Sequence, residues 1–91
     1  MVKVRAHVFV SGMVQGVFFR QEIKQQAEWI GVKGWVRNLN DGRVEAIFEG
    51  EDQAVNVLVD YCHRGPYAAR VDNVDVIWER FVAEYSNFKV K

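Results

Sequence analysis

Apolar and polar residues alternate from the start of the chain to about Ser11, which is the period-two pattern of a strand with one buried face. After two glycines the apolar residues recur every three or four positions, which predicts a helix over about residues 20–30. Gly31 stands where a helix would end in a left-handed cap. The apolar positions of this strand are Val2, Val4, Ala6, Val8 and Val10, and those of the helix are Phe19, Ile23, Ala27 and Ile30.

The middle of the chain predicts a hairpin followed by a second helix. Asn40-Asp41-Gly42 separates two alternating stretches, and Asp-Gly supplies residues that tolerate positive φ. The second helix is expected to follow Gly50, with Asp52 as its N-cap, and to end at Gly65-Pro66. Its apolar stripe contains Ala54, Leu58, Tyr61 and Cys62, a fourth strand follows with Val74, Val76 and Trp78, and Phe88 and Val90 predict a short edge strand.

The predicted order of elements is βαββαβ. This order is typical of an α+β, ferredoxin-like split βαβ arrangement, with an antiparallel sheet and two helices on one face. A chain of 91 residues has too little interior for two cores, so we expect residues 1–91 to form a single domain. The fold class alone indicates no function.

Charge and composition exclude several classes of partner. The formal net charge is zero, with 12 basic and 12 acidic residues, so no overall field attracts nucleic acid or an anionic membrane. Cys62 is the only cysteine, which excludes an internal disulfide and a paired-thiol site. The sequence also lacks an apolar signal core and a run of 18 apolar residues. We therefore expect a cytoplasmic protein without membrane or nucleic-acid partners. The sequence leaves the oligomeric state open, with a monomer as the default expectation.

The segment between the first strand and the first helix has the features of an anion site. Unpaired N–H groups at a helix N-terminus favour an anion, and Gly12 and Gly16 allow the segment to curl so that these groups converge. Arg20 would add a guanidinium that pairs well with phosphate oxygens. The spacing by itself, however, favours an ordinary glycine turn and a solvated arginine.

Asn38 is the polar member of an otherwise apolar strand face that includes Gly34 and Val36. Its carboxamide can both donate and accept hydrogen bonds, which suits it to orienting a water molecule but not to removing a proton. The pattern alone favours a simpler interpretation, in which Asn38 begins the hairpin turn together with Asn40 and Asp41.

Two sequence motifs decide between these interpretations. Residues 10–20 resemble the first signature of the acylphosphatase family, and residues 34–44, followed by Gly50, resemble the second. Gly65-Pro66, Ala69 and Val71 also resemble the later pattern of that family, so the likeness covers essentially the whole chain. The resemblance leaves open whether Lys89, Val90 and Lys91 contribute to the site.

The resemblance implies a hydrolase that cleaves small-molecule acyl phosphates into a carboxylate and inorganic phosphate without a metal or cofactor. It implies that Arg20 binds the phosphoryl oxygens and that Asn38 holds the attacking water. The main-chain amides of the preceding segment would share in binding the phosphoryl group, and they belong to Gln15, Gly16, Val17, Phe18 and Phe19.

Two other functions fit the same order of elements. An RNA-binding module is disfavoured because the third strand lacks paired aromatic residues and carries Glu45 and Glu49. A noncatalytic anion-binding domain would need Arg20 but would have little use for Asn38.

The remaining candidate residues have simpler explanations. His7 and His63 have no ligands at metal-binding spacing, and Cys62 lies in an apolar stripe, where we expect an inert thiol. Packing is the simplest role for the aromatic residues Phe9, Trp35, Trp78 and Phe81.

Overall fold

A computed structural model describes residues 2–91, which form five strands and two helices. The order confirms the βαββαβ prediction and includes the short strand expected near the C-terminus. The elements are β1 (Lys3–Met13), α1 (Phe19–Ile30), β2 (Lys33–Asn38), β3 (Val44–Glu51), α2 (Asp52–Arg64), β4 (Arg70–Glu79) and β5 (Phe88–Val90).

The sheet has the strand order β4-β1-β3-β2-β5. The β1–β3, β1–β4 and β2–β3 pairs are all antiparallel, as the ferredoxin-like arrangement requires. The pairing of β5 with β2 is parallel, so the sheet as a whole is mixed and not purely antiparallel as predicted. The chain leaves β4 at one edge of the sheet and joins β2 at the other edge, where β5 runs in the same direction as β2.

Both helices pack on one face of this sheet, which confirms the predicted layer arrangement. Every second residue of β1 is directed into the core, where it meets apolar side chains of both helices. The buried stripe of α1 consists of Phe19, Ile23 and Ala27, and that of α2 consists of Val55, Leu58, Val59, Tyr61 and Cys62. The strands contribute Ala6, Val8, Val10, Val36, Val44, Ala46 and Phe48 to the same core.

Two predicted boundaries differ from the observed ones. β1 extends past Ser11 because its pairing with β4 continues through an irregularity between Ser11 and Gly12. Asp52 is the first residue of α2 and not its N-cap, because β3 continues through Glu51, which pairs with Lys3 and has an extended backbone (φ −63°, ψ 143°). The N-cap is Glu51, which makes no capping hydrogen bond with its side chain.

The face of the sheet away from the helices carries paired charges and is crossed by residues 80–87. The Glu49 side chain is 1% exposed and accepts hydrogen bonds from the main-chain N–H groups of Val82 (3.3 Å) and Glu84 (2.9 Å). Arg5 lies 3.3 Å from the same carboxylate. Buried charges need such partners to offset their desolvation, so Glu49 attaches the crossing segment to the sheet.

His7 lies on this same face between two carboxylates. Its Nε2 is 2.6 Å from Glu45 Oε2, and its Nδ1 is 3.1 Å from Glu79 Oε2. Arg37 Nε donates to the other oxygen of Glu45 at 2.6 Å. Sequence patterns do not predict these partners, because each of them belongs to a different strand from His7.

A glycine on β2 generates a first prediction about stability. Gly34 has φ +137°, and a Cβ at this position would collide with the Ile47 carbonyl oxygen on β3. We expect Gly34→Ala to lower the free energy of unfolding by about 2–4 kcal/mol through strain and forced separation of the strands. Gly31→Ala is the matched control, because Gly31 also has positive φ (+82°) but faces open space. Denaturant unfolding of both variants measures the difference, and equal losses would contradict the assignment of a steric clash.

The Glu45 carboxylate generates a second prediction, on the pH dependence of stability. Burial raises the pKa of Glu45, but hydrogen bonds and charges from His7 and Arg37 outweigh burial and hold its pKa below the usual 4.5. A carboxyl group whose pKa is lowered by folding stabilises the folded state at pH values above its unfolded-state pKa. This contribution is lost as pH falls through the folded-state pKa. We therefore expect the free energy of unfolding to decline as pH falls below about 4.5.

Replacing this carboxylate separates its contribution from that of other acids. Glu45→Gln should lower stability at pH 7 by about 1–3 kcal/mol and should flatten the acid decline. Glu28→Gln, which alters an exposed carboxylate paired only with Lys24, should change neither feature appreciably. Unfolding curves recorded between pH 7 and pH 3 provide the comparison, and an unchanged slope in Glu45→Gln would refute the assignment.

Candidate active site

The segment between β1 and α1 has no regular structure but is anchored at both ends. Residues 15–18 form successive bends, and the flanking Val14 and Phe19 are each only 1% exposed. The ring of Phe19 packs edge-on against Tyr61 of α2, with 6.2 Å between the ring centroids. The hydrophobic core therefore fixes the path of residues 15–19, which we call the phosphate loop after the role that the sequence predicts for it.

Two residues of the phosphate loop have left-handed backbone conformations. Gly16 has φ +75°, and Phe18 has φ +66° and ψ +20°. A left-handed conformation costs a residue other than glycine about 1–2 kcal/mol, and such strain is concentrated at functional sites. Left-handed residues in a curled segment turn nearby N–H groups toward a common point, as in backbone sites for anions.

The N-terminus of α1 presents N–H groups to the same region. Phe18 is its N-cap and makes no capping hydrogen bond with its side chain. The first helical bond runs from the Glu22 N–H to the Phe18 carbonyl, so the preceding amides of the first turn have no partner within the helix. Unpaired amides and the helix dipole together favour an anion here.

Arg20 is the second residue of α1, and its half-buried side chain points toward the end of the sheet. Its Nη1 donates to the main-chain oxygen of Lys91 at 3.4 Å, and the Lys91 N–H in turn donates to the Val36 carbonyl on β2 (2.8 Å). Among residues 2–91, no Asp or Glu side chain is ion-paired with Arg20. Its guanidinium therefore lies next to β2 and keeps its charge available for an anion.

Asn38 is the last residue of β2, where it pairs with Val44. Its Oδ1 is buried and has no hydrogen-bond partner among residues 2–91. The neighbouring turn is stabilised instead by Asp41, whose carboxylate accepts hydrogen bonds from the Arg43 N–H (3.1 Å) and Arg43 Nε (2.9 Å). Asn38 therefore stands at the start of the turn, but its Oδ1 makes no hydrogen bond to the turn within the described residues.

The side chain of Gln15 connects the phosphate loop to the hairpin beside Asn38. Its Nε2 donates to the Leu39 carbonyl (2.7 Å) and to the Arg43 carbonyl (2.9 Å). The sequence motif predicts a role only for the main-chain amide of Gln15. No spacing rule could have revealed these contacts, because they join residues 24 and 28 positions apart.

These contacts bring the predicted site residues to one end of the sheet. Lys91 places Arg20 beside β2, and Gln15 places the phosphate loop beside the residue that follows Asn38. Within residues 2–91, the site therefore combines curled main-chain amides, a guanidinium that is paired with no Asp or Glu side chain, and a carboxamide oxygen that accepts no hydrogen bond. Such a group of donors can bind a phosphoryl group and orient a small nucleophile.

The two histidines, for which the sequence predicts no role in the site, make their contacts in other parts of the fold. His7 is on the face of the sheet away from the helices, where it contacts Glu45. His63 Nδ1 lies 3.0 Å from the Val59 carbonyl of its own helix. Within residues 2–91, no three His, Cys, Asp or Glu side chains are grouped so as to hold a metal ion. None of the helices formed by these residues has the length and apolar character needed to cross a bilayer.

Comparisons with known proteins agree with the motifs. The family model described as Acylphosphatase matches residues 6–90. An acylphosphatase of Pelotomaculum thermopropionicum is 52% identical over 99% of this chain and 98% of its own length, and one from Roseiflexus is 56% identical over 94% and 92%. The solved structure of an acylphosphatase from Coxiella burnetii superimposes with a TM-score of 0.91 at 39% identity, covering 98% of this chain and 93% of that one.

The environment of Cys62 yields a third prediction. Burial raises the pKa of the Cys62 thiol from 9.0 to about 12, so the reactive thiolate is about 10³-fold scarcer than at an exposed cysteine. We expect an aromatic disulfide reagent at pH 8 to leave the folded protein unmodified and catalytically unaffected. Denatured protein serves as the control and should react completely. Rapid modification of the folded protein with loss of activity would instead assign Cys62 to the site.

Proposed function

The chain belongs to the acylphosphatase family, whose members hydrolyse acyl phosphates to a carboxylate and inorganic phosphate, and we propose that Arg20 and Asn38 carry out this reaction here. The observation that carries the proposal is the buried Oδ1 of Asn38, which has no hydrogen-bond partner among residues 2–91. An unsatisfied buried oxygen costs about 1–3 kcal/mol, and such an exception in a native fold calls for an explanation. A water that binds this amide during catalysis provides one.

The phosphoryl group is bound by the phosphate loop and Arg20. The main-chain amides of residues 15–19 and the guanidinium of Arg20 donate to its nonbridging oxygens. Phosphoryl transfer through a loose transition state spreads charge over these oxygens, so donors fixed in advance stabilise it. The buried anchors Val14 and Phe19 support this role because they hold the loop in shape before substrate binds.

Asn38 orients the attacking water. An O–H group of the water donates to the carboxamide oxygen, which leaves a lone pair of the water directed at phosphorus. The new bond forms between the water oxygen and phosphorus while the bond from phosphorus to the acyl oxygen breaks. The carboxylate departs with the electron pair of that bond, and the water protons pass to the phosphate product and solvent.

The leaving group explains why so few residues suffice. A carboxylate is the anion of an acid with a low pKa, so its departure requires little help from a general acid. We propose that the reaction proceeds without a metal or cofactor, with charge stabilisation supplied by the amides and Arg20.

We further propose that residues 1–91 act as one domain, as a monomer in the cytoplasm, without nucleic-acid partners. The zero net charge supports the last point. On the strand positions where RNA-binding modules stack bases, this chain has His7 paired with Glu45 and Arg5 paired with Glu49. Both carboxylates are hydrogen-bonded within the protein, and the aromatic rings of Phe9 and Trp35 on this face pack against His7.

A fourth prediction tests the two roles directly with a simple aromatic acyl phosphate in the presence of excess chelator. We expect rapid turnover by the unaltered chain, a loss of about 10³-fold or more in Arg20→Ala, and a loss of about 10²-fold or more in Asn38→Ala. Arg20→Ala should also weaken inhibition by inorganic phosphate, whereas Asn38→Ala should leave it nearly unchanged. Initial rates and phosphate inhibition constants are the measurements.

Two surface substitutions serve as matched controls. Arg64→Ala removes an exposed arginine at the end of α2, and Asn40→Ala removes an exposed asparagine in the same hairpin as Asn38. Both should retain nearly full activity. Full activity in folded Asn38→Ala would exclude the water-positioning role. A folded but inactive unaltered chain that still binds phosphate would identify a noncatalytic anion-binding relative.

A further inference from the structure

The side chain of Gln15 spans the gap between the phosphate loop and the β2–β3 hairpin. We propose that it is a positioning residue, which sets the place of Asn38 relative to the bound phosphoryl group. This role is separate from that of its main-chain amide, and it rests on the proposed function of Asn38. The proposal adds a side chain to a reaction that otherwise uses only Arg20, Asn38 and main-chain amides.

Both N–H donors of the Gln15 side chain are used in hydrogen bonds to the hairpin. A primary amide has two N–H donors, and Nε2 has one carbonyl acceptor for each, on Leu39 (2.7 Å) and Arg43 (2.9 Å). The same two carbonyls also close the turn, because the Leu39 N–H donates to the Arg43 carbonyl (2.8 Å) and the Gly42 N–H donates to the Leu39 carbonyl (3.2 Å). Gln15 therefore holds both sides of the turn at once.

Asn38 depends on this attachment because its own side chain has none. Its Oδ1 makes no hydrogen bond within residues 2–91, so the position of the carboxamide follows from the position of the β2 main chain. Leu39 is the next residue in the chain, and Arg43 precedes Val44, the cross-strand partner of Asn38. Gln15 thus binds the main chain on both sides of the turn, at the residues next to Asn38 and to its partner Val44.

The distance between the water and phosphorus therefore depends on the Gln15 hydrogen bonds as well as on the pairing of β1 with β3, which reaches Val10 and Val44. The phosphate loop fixes phosphorus, the hairpin fixes Asn38, and Gln15 is the side chain that hydrogen-bonds the two. A displacement of about 1 Å at a reacting group can reduce a rate about 10²-fold. Loss of the Gln15 side chain should therefore slow the chemical step and leave phosphoryl binding intact.

The experiment combines Gln15→Met with Asn38→Ala. Methionine has similar length and no donor, so Gln15→Met should lower kcat about 10- to 100-fold while KM and the phosphate inhibition constant change less than about threefold. In the Asn38→Ala background the same substitution should lower kcat less than about threefold, because the group that Gln15 positions is already absent. Gln15→Ala should give the same pattern and serves if the methionine variant does not fold.

Asn56→Leu is the matched control, because Asn56 also donates from a side-chain amide to a main-chain carbonyl, that of Asp52 (2.8 Å), but within α2. It should leave kcat and KM unchanged. A rise in KM or in the phosphate inhibition constant without a fall in kcat would overturn the proposal, as would losses that multiply fully in the double variant. Full activity in Asn38→Ala alone would instead overturn the proposed function on which the inference rests.

Discussion

Hydrophobic contact between one face of β1 and the two helices fixes the geometry on which the site depends. The strand ends beside Val14 and the helix begins at Phe19, and both residues are buried in the same core. The phosphate loop is consequently a short connection between two buried, closely packed residues. Its left-handed residues can be maintained because the burial of its ends outweighs a local strain of about 1–2 kcal/mol.

The arginines on the outer face of the sheet differ from Arg20, at the end of the sheet, in whether they pair with carboxylates. On the face away from the helices, Arg5 and Arg37 are matched with buried carboxylates, and these pairs attach residues 80–87 and join neighbouring strands. Arg20, at the end of the sheet, is paired with no Asp or Glu side chain among residues 2–91. It therefore retains an attraction for phosphate that a salt bridge to such a side chain would reduce.

Periodicity and turn chemistry were sufficient to predict most of the fold. The stripe of Phe19, Ile23 and Ala27 gave α1 to within one residue, and Asp41-Gly42 located the hairpin. The motifs likewise identified Arg20 and Asn38 as candidates. Asp52 was misplaced because β3 continues through Glu51, whose pairing with Lys3, 48 positions earlier, no local capping rule contains.

The missed features share the same physical origin. The two hydrogen bonds of Gln15, the carboxylates around His7 and the parallel pairing of β5 all join segments that are far apart in the chain. Each depends on the register of the assembled sheet, which pattern analysis does not provide. The lack of a hydrogen-bond partner for Asn38 Oδ1 within residues 2–91 also cannot be predicted from the sequence, because it depends on which atoms surround the side chain after folding.

The two edges of the sheet differ in a way that bears on association between copies. β5 is only three residues long, and its pairing with β2 covers Gly34, Trp35 and Val36 on an otherwise open edge. The opposite edge is β4, ten residues long and without an outer neighbour. Its exposed positions include the charged side chains of Arg70, Asp72, Asp75 and Glu79 and also the apolar side chains of Ile77 and Trp78. A second copy that added a strand to the outer main-chain groups would meet charges along most of β4, which oppose pairing, but apolar side chains near its end, which favour contact.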